Sequence, residues 1–213
     1  SAEAEANMPV LNDKNMRNHT IGGTHYGFSA ARIDHLGAAE YTLVVIAADK
    51  SGSVSGYRKE IEGAIKQIVK ACNHSPRADN LLLRLVTFDS RIGEIHGYKV
   101  LAECNAGDYD GTIRTGGSTA LFDATHNAVE SVRRYGEELA AQHFSTNAII
   151  FVITDGQDNA STMTARSVED ALTALVASET VESTVTVLVG VGVSDSGLST
   201  YLSRFERDAG FDQ

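Results

Sequence analysis

The stretch Tyr41-Thr-Leu-Val-Val-Ile-Ala-Ala48, running on into Asp49-Lys-Ser-Gly-Ser53, decides how this chain is read. Its first part is a β-branched apolar run, the pattern of a strand buried on both faces. The second part sets one carboxylate and two hydroxyls in a turn that leads to an amphipathic segment. Positions 49, 51 and 53 can face inward together there, while Lys50 points out and Gly52 relieves the backbone. Two later turns repeat the theme: Thr119 follows Gly116-Gly117, and Asp155 comes directly after Asn147-Ala-Ile-Ile-Phe-Val-Ile-Thr154. If the strands are neighbours, these side chains meet.

Outward from that stretch the pattern is regular: apolar run, Gly or Ser turn, helix-period segment, and again. Strands are expected at 41–48, 81–88, 147–154 and 184–192, with a short one near Tyr26–Ile33. Glu94–Leu101 alternates more and follows a short turn, which suggests an antiparallel edge strand. Apolar stripes at helical spacing mark two helices, one through Tyr57, Ile61, Ile65, Ile68 and Cys72, the other through Leu121, Ala124, Ala128 and Val132. Two more are expected at about 167–178, capped by Ser167, and at about 196–209. The order implies an α/β protein: a mostly parallel sheet with one antiparallel edge strand and helices on both faces. Residues 1–24 read as a polar arm or partly ordered lead-in before a single domain over 25–213 with its core at about 40–210. The Gly- and Asp-rich connection 102–118 is longer than structure alone asks for.

With 213 residues, 42% of them hydrophobic, the chain suits one buried core. A net charge of −10 argues against a phosphate-backbone partner, and neither a polybasic patch nor an apolar run of roughly 18–20 residues points to a membrane. Two cysteines, Cys72 and Cys104, make no disulfide framework, so a cytoplasmic location is expected. Asn-x-Ser/Thr matches at Asn18, Asn73 and Asn159 are short enough to arise by chance.

In an open parallel sheet, ligands sit beyond the carboxyl ends of the strands, and Asp49 and Asp155 both close such strands. An all-oxygen donor set with no Cys or His suits Mg2+ or Mn2+ rather than Zn2+. Two carboxylates roughly neutralise one divalent ion, leaving it electrophilic toward one further anionic oxygen. Taken singly, each element has an ordinary reading. Asp49-x-Ser51-x-Ser53 can be a capping turn, and Asp155-Gly156 an ordinary turn pair.

Together, Asp49-x-Ser51-x-Ser53, Thr119 in Gly-Gly-Ser-Thr-Ala-Leu and Asp155 in Ile-Thr-Asp-Gly resemble the metal-ion-dependent adhesion site of von Willebrand factor type A domains, in the family's order and approximate spacing over about residues 40–210. The resemblance implies a Rossmann-like, doubly wound sheet. It implies a Mg2+ (or Mn2+) held by Ser51, Ser53 and Thr119, with Asp49 and Asp155 direct or through water, and a protein partner that supplies Asp or Glu to the metal. The chain looks like the bacterial-type, stand-alone intracellular members. Against the pattern, only Phe211-Asp-Gln213 follow Phe205–Gly210 in this sequence, so whether the family's final strand and helix are present is left open.

Thr119 is preferred over Ser118 as ligand, with Ser118 then capping the following helix. Asp89 and Asp123 are candidates for orienting a ligand or water, whereas Asp158 and Asn159 shape the loop after the site. His126 falls on a polar stripe with Glu130, Arg133 and Glu137 and reads as exposed. Gly190-Val-Gly192 lacks the third glycine of a dinucleotide loop, and no serine in 51–56 is centred between two glycines. The expected function is therefore a non-catalytic, metal-dependent protein-binding module. Two alternatives stand beside it: a metal-dependent hydrolase or phosphoesterase, for which only Asp89, Lys50 and Arg114 offer themselves, and a scaffold subunit with a structural metal in an intracellular assembly, for example beside an AAA+ ATPase.

Overall fold

The computed structural model describes residues 15–192, so the helix expected at 196–209 and the stretch after Phe205 lie outside the described residues. Seven strands form a single sheet: β1 (Met16–Thr20), β2 (Gly27–Ala31), β3 (Glu40–Asp49), β4 (Leu81–Phe88), β5 (Ile92–Val100), β6 (Ser145–Thr154) and β7 (Ser183–Gly190). Their order across the sheet is β1-β2-β5-β4-β3-β6-β7. β3 pairs in parallel with β4 and β6, and β6 with β7, while β4–β5 and β1–β2 are antiparallel. The segment read as the antiparallel edge is β5. The sheet continues beyond it through a single parallel register pair, Ala30 with Tyr98, to β2 and then β1.

Among the described residues the α-helices are α1 (Arg58–Asn73), α2 (Leu121–Ala141) and α3 (Ala165–Ala177). Alternation along β3 divides the core. Val44, Ile46 and Ala48 pack with Ile61, Ile65 and Val69 of α1 on one face. Leu43, Val45 and Ala47 pack with Leu121, Ala124 and Val132 of α2 and with Val168 and Leu175 of α3 on the other. Each such aliphatic side chain, fully buried, contributes roughly 1.5–3 kcal/mol. α3 starts at Thr164, whose hydroxyl accepts from Ser167 N while Thr164 N donates back to Ser167 Oγ; Ser167 is thus the third helical residue of a capping box rather than the cap itself.

The connection 102–118 is not an open loop. Leu101, Cys104, Tyr109 and Ile113 sink into the α1-side core. Part of the expected arm is also ordered structure: Met16–Thr20 is β1, whose side chains are exposed or half-buried. β2 passes so close to β5 that a Cβ at Gly97 would lie 2.0 Å from Ser29 O, so a side chain there is excluded. Beside this crossing Arg84, fully buried, donates to Glu94 Oε2 at 2.6 Å and Asn127 Oδ1 at 2.8 Å, and Glu94 in turn accepts from Ser29 N and Ser29 Oγ. No helix among the described residues is long and apolar enough to cross a membrane.

Candidate functional site

The chain leaves β3 through α1 on one face and enters β6 from α2 on the other, so the carboxyl ends of β3 and β6 border a crevice. Ala48 pairs with Ile153, which sets Asp49 beside Thr154 and Asp155 at the rim. Asp49 is fully buried. Its Oδ1 accepts from Ser51 N at 2.7 Å, and its Oδ2 accepts from Thr154 Oγ1 at 2.6 Å. Ser51 Oγ lies 3.1 Å from Ser53 Oγ, which donates to Asp155 Oδ1 at 2.9 Å. The first turn and the end of β6 are therefore joined by side chains 102 residues apart.

Thr119 reaches the same place on a stitched loop. Gly116 N donates to Lys50 O, Gly52 N to Gly117 O, and Ala120 N to Asp89 O, at 2.7–2.9 Å. Gly117 takes φ +74 there, a backbone that L side chains rarely adopt. A Cβ placed on Gly156 would lie 3.6 Å from Ser53 Oγ and 3.7 Å from both Asp49 Oδ2 and Thr119 Cγ2, so the three turns meet around this glycine. Thr119 is buried whereas Ser118 is exposed, and the Thr119 hydroxyl makes no hydrogen bond among the described residues.

Electrostatics leave the site short of positive charge. Burial raises the Asp49 carboxyl above the usual carboxylate range, hydrogen bonds from Ser51 and Thr154 oppose the rise, and the neighbouring Asp155 adds to it. Burial likewise raises Asp155 against the Ser53 hydrogen bond. Lys50 turns away to Asp89, at 3.6 Å. Two carboxylates and three hydroxyls gathered in one crevice fit a hard divalent cation, which would hold both acids ionised. Among the described residues no group of three His, Cys, Asp or Glu side chains could hold a metal, so any ion here depends on the hydroxyls.

The remaining candidates have other tasks. Asp89 accepts from Arg91 N at 2.9 Å and shapes the β4–β5 turn. Asp123 accepts from Thr162 N and Met163 N, at 3.0 and 2.8 Å, pinning the loop that follows Asp155. Ser118 does not cap α2; Asp158 and Ser161 reach across from that loop to accept from Phe122 N and Asp123 N. Asn159 Oδ1 accepts from Thr119 N at 2.8 Å, fixing the threonine's backbone. His126 is half-buried rather than exposed, and Glu130 is buried in an ion pair with Arg133. Thr154 and Asn159 are the contributors that sequence reading did not place at the site. A hydroxyl directly before Asp155 was the visible signal for the first; for the second there was only proximity in sequence.

No family model matches the chain, and no curated protein matches it in sequence. Solved structures do. The proximal thread matrix protein 1 of the mussel byssus is 23% identical, with 73% of this chain covering 37% of that one at a TM-score of 0.51. The pilus adhesin SpaC of Lactobacillus rhamnosus GG is 10% identical, with 79% of this chain covering 27% of that one at 0.55. Another structure of the mussel protein, 22% identical over 73% of this chain and 37% of that one at 0.50, has a zinc-occupied metal-ion-dependent adhesion motif. The fold is von Willebrand factor A-like. In this von Willebrand factor A-like frame the crevice beyond β3 and β6 is where Asp49, Ser51, Ser53, Thr119 and Asp155 converge. At these identities the likeness speaks for the fold, and the chain spans well under half the length of either protein.

Proposed function

We propose that the chain is a non-catalytic protein-binding module whose crevice holds a divalent cation, Mg2+ or Mn2+, and presents it to a carboxylate of a protein partner. The observation that carries the reading is the meeting of two buried carboxylates with three hydroxyls at the ends of β3 and β6, with no cation from the protein among the causes that shift either acid. Ser51, Ser53 and Thr119 would ligate directly, with Asp49 and Asp155 bound directly or through water. The ion would supply Lewis acidity toward one more anionic oxygen. Asp49 is held by Ser51 N and Thr154, and Thr119 by Asn159, so the donors are pre-positioned. Among the described residues the hydrogen bonds of Asp49, Ser51, Ser53 and Asp155 run to one another, to Thr154 and to backbone, with no histidine or lysine beside them to serve as a base. The zinc reported for the mussel protein's adhesion motif is in keeping with a divalent site in this fold.

The test is Mg2+-dependent capture of acidic peptides or proteins with Asp49→Ala as control. Capture that chelator and the substitution both abolish is expected. Capture unchanged in chelator, or turnover of phosphoesters lost in Asp155→Ala, would contradict the reading.

A further inference from the structure

Beside the Thr119 loop lies a hollow of about 290 Å3, enclosed by the turn Gly23–Tyr26 between β1 and β2, by one flank of α2 at Asp123, His126 and Asn127, and by Ala160 and Met163. This volume is at the lower limit for ligand pockets and suits one bulky side chain rather than a larger molecule. Its inner wall is shared with the candidate metal centre. Ala160 N donates to Thr119 O at 3.1 Å, and a Cβ at Gly117 would lie 3.6 Å from Ser90 Oγ, another residue of the wall. A carboxylate held near Thr119 would thus have its chain neighbour at the mouth of the hollow.

The chemistry of the walls selects the neighbour. Both Asp123 oxygens already accept from Thr162 N, and Oδ1 also from Met163 N. Asn127 donates to Gly27 O and accepts from Arg84, and Thr24 is engaged with Ile21 O and Tyr26. No carboxylate is therefore left open for a lysine or arginine. The side chains of His25, His126 and Ser90 make no hydrogen bond among the described residues, and burial keeps the His126 imidazole below its usual pKa. Tyr26, Ala160 and Met163 supply apolar surface. An apolar body with a hydroxyl tip matches both kinds of wall.

We propose that this hollow is a specificity subsite that receives a tyrosine adjacent in sequence to the carboxylate a partner presents at the metal. The proposal rests on the metal-bridged reading above and adds the identity of the flanking residue. It also gives the β1–β2 turn a task, since that turn closes one side of the subsite.

The test uses short peptides, Gly-Asp-Xaa-Gly and Gly-Xaa-Asp-Gly with Xaa as Tyr, Phe, Ala or Lys, displayed densely on a sensor surface so that weak binding is visible by avidity. The full chain is passed over them with Mg2+ or with EDTA. Tyr peptides are expected to bind roughly tenfold more tightly than Ala peptides, about 1.4 kcal/mol, with Phe between and Lys no better than Ala. His126→Trp, which fills the hollow from a half-buried position on α2, should erase that preference while leaving Mg2+-dependent binding of the Ala peptides within about twofold. His126→Ala should narrow the gap between Tyr and Phe. Equal Mg2+-dependent binding of all Asp peptides, or a Tyr preference that survives His126→Trp, overturns the subsite and leaves the metal reading standing. Loss of all Mg2+ dependence overturns both.

Discussion

Asp49 carries most of the site's meaning, because a fully buried carboxylate raised by desolvation is costly unless something positive arrives. In the wild type, saturating Mg2+ at about 100 times its dissociation constant should add about 2.7 kcal/mol of stability. Asp49→Asn keeps the shape and removes the charge, so thermal melts with and without Mg2+ should coincide for this variant. Asn159 acts one step back, through its hydrogen bond to Thr119 N. Asn159→Ala should weaken Mg2+ affinity about 10–100-fold by titration calorimetry while leaving the melting temperature of the metal-free protein nearly unchanged. At this scale the sequence was most legible where a side chain type and a strand end coincided, as at Asp49 and Asp155. It was least legible where a loop reached across space: nothing local marks Asp158 and Ser161, rather than Ser118, as the acceptors for the first N–H groups of α2.

Strands buried on both faces announce themselves by continuous apolar runs, and β3, β4 and β6 are found within one or two residues of where the runs lie. β1 has no such signal. Its sequence Met-Arg-Asn-His-Thr is polar because it is an outermost strand whose side chains stay exposed or half-buried, so its pattern is that of an arm. α2 was read from one stripe, yet Asp123, Asn127, Glu130 and Ser131 are also buried, since the β1–β2 hairpin and α3 cover flanks that periodicity assigns to solvent. Where β2 lies on β5, Glu94 joins Arg84 to Ser29 of β2, and Arg84 reaches Gly27 O. Glu94→Ala leaves the guanidinium buried without its partner and should destabilise the fold by about 3–5 kcal/mol in urea unfolding. A Glu94→Ala variant within about 1 kcal/mol of wild type would show that the pair contributes little to holding β2 on β5.

For the molecule as a whole, His96 sets an acid limit. Burial depresses its pKa from 6.5 to about 4, with Lys99 and Arg84 adding to the effect, while its ring bonds Tyr109 OH at 2.8 Å beneath the 102–118 connection. The unfolded chain takes up this proton first. Stability is therefore complete above about pH 6.5 and falls as pH drops toward 4, by roughly 3 kcal/mol in all from this group. Urea unfolding across that range should show the decline, and His96→Gln should flatten it. The candidate metal centre is the other feature of the whole, since its side chains meet only when three distant turns close on one crevice. The most direct measurement is anomalous diffraction from crystals grown with Mn2+. One peak about 2 Å from Ser51 Oγ, Ser53 Oγ and Thr119 Oγ1, beside Asp49 and Asp155, is the predicted result. A crevice without a peak under saturating Mn2+, or a peak held by other residues, would contradict it.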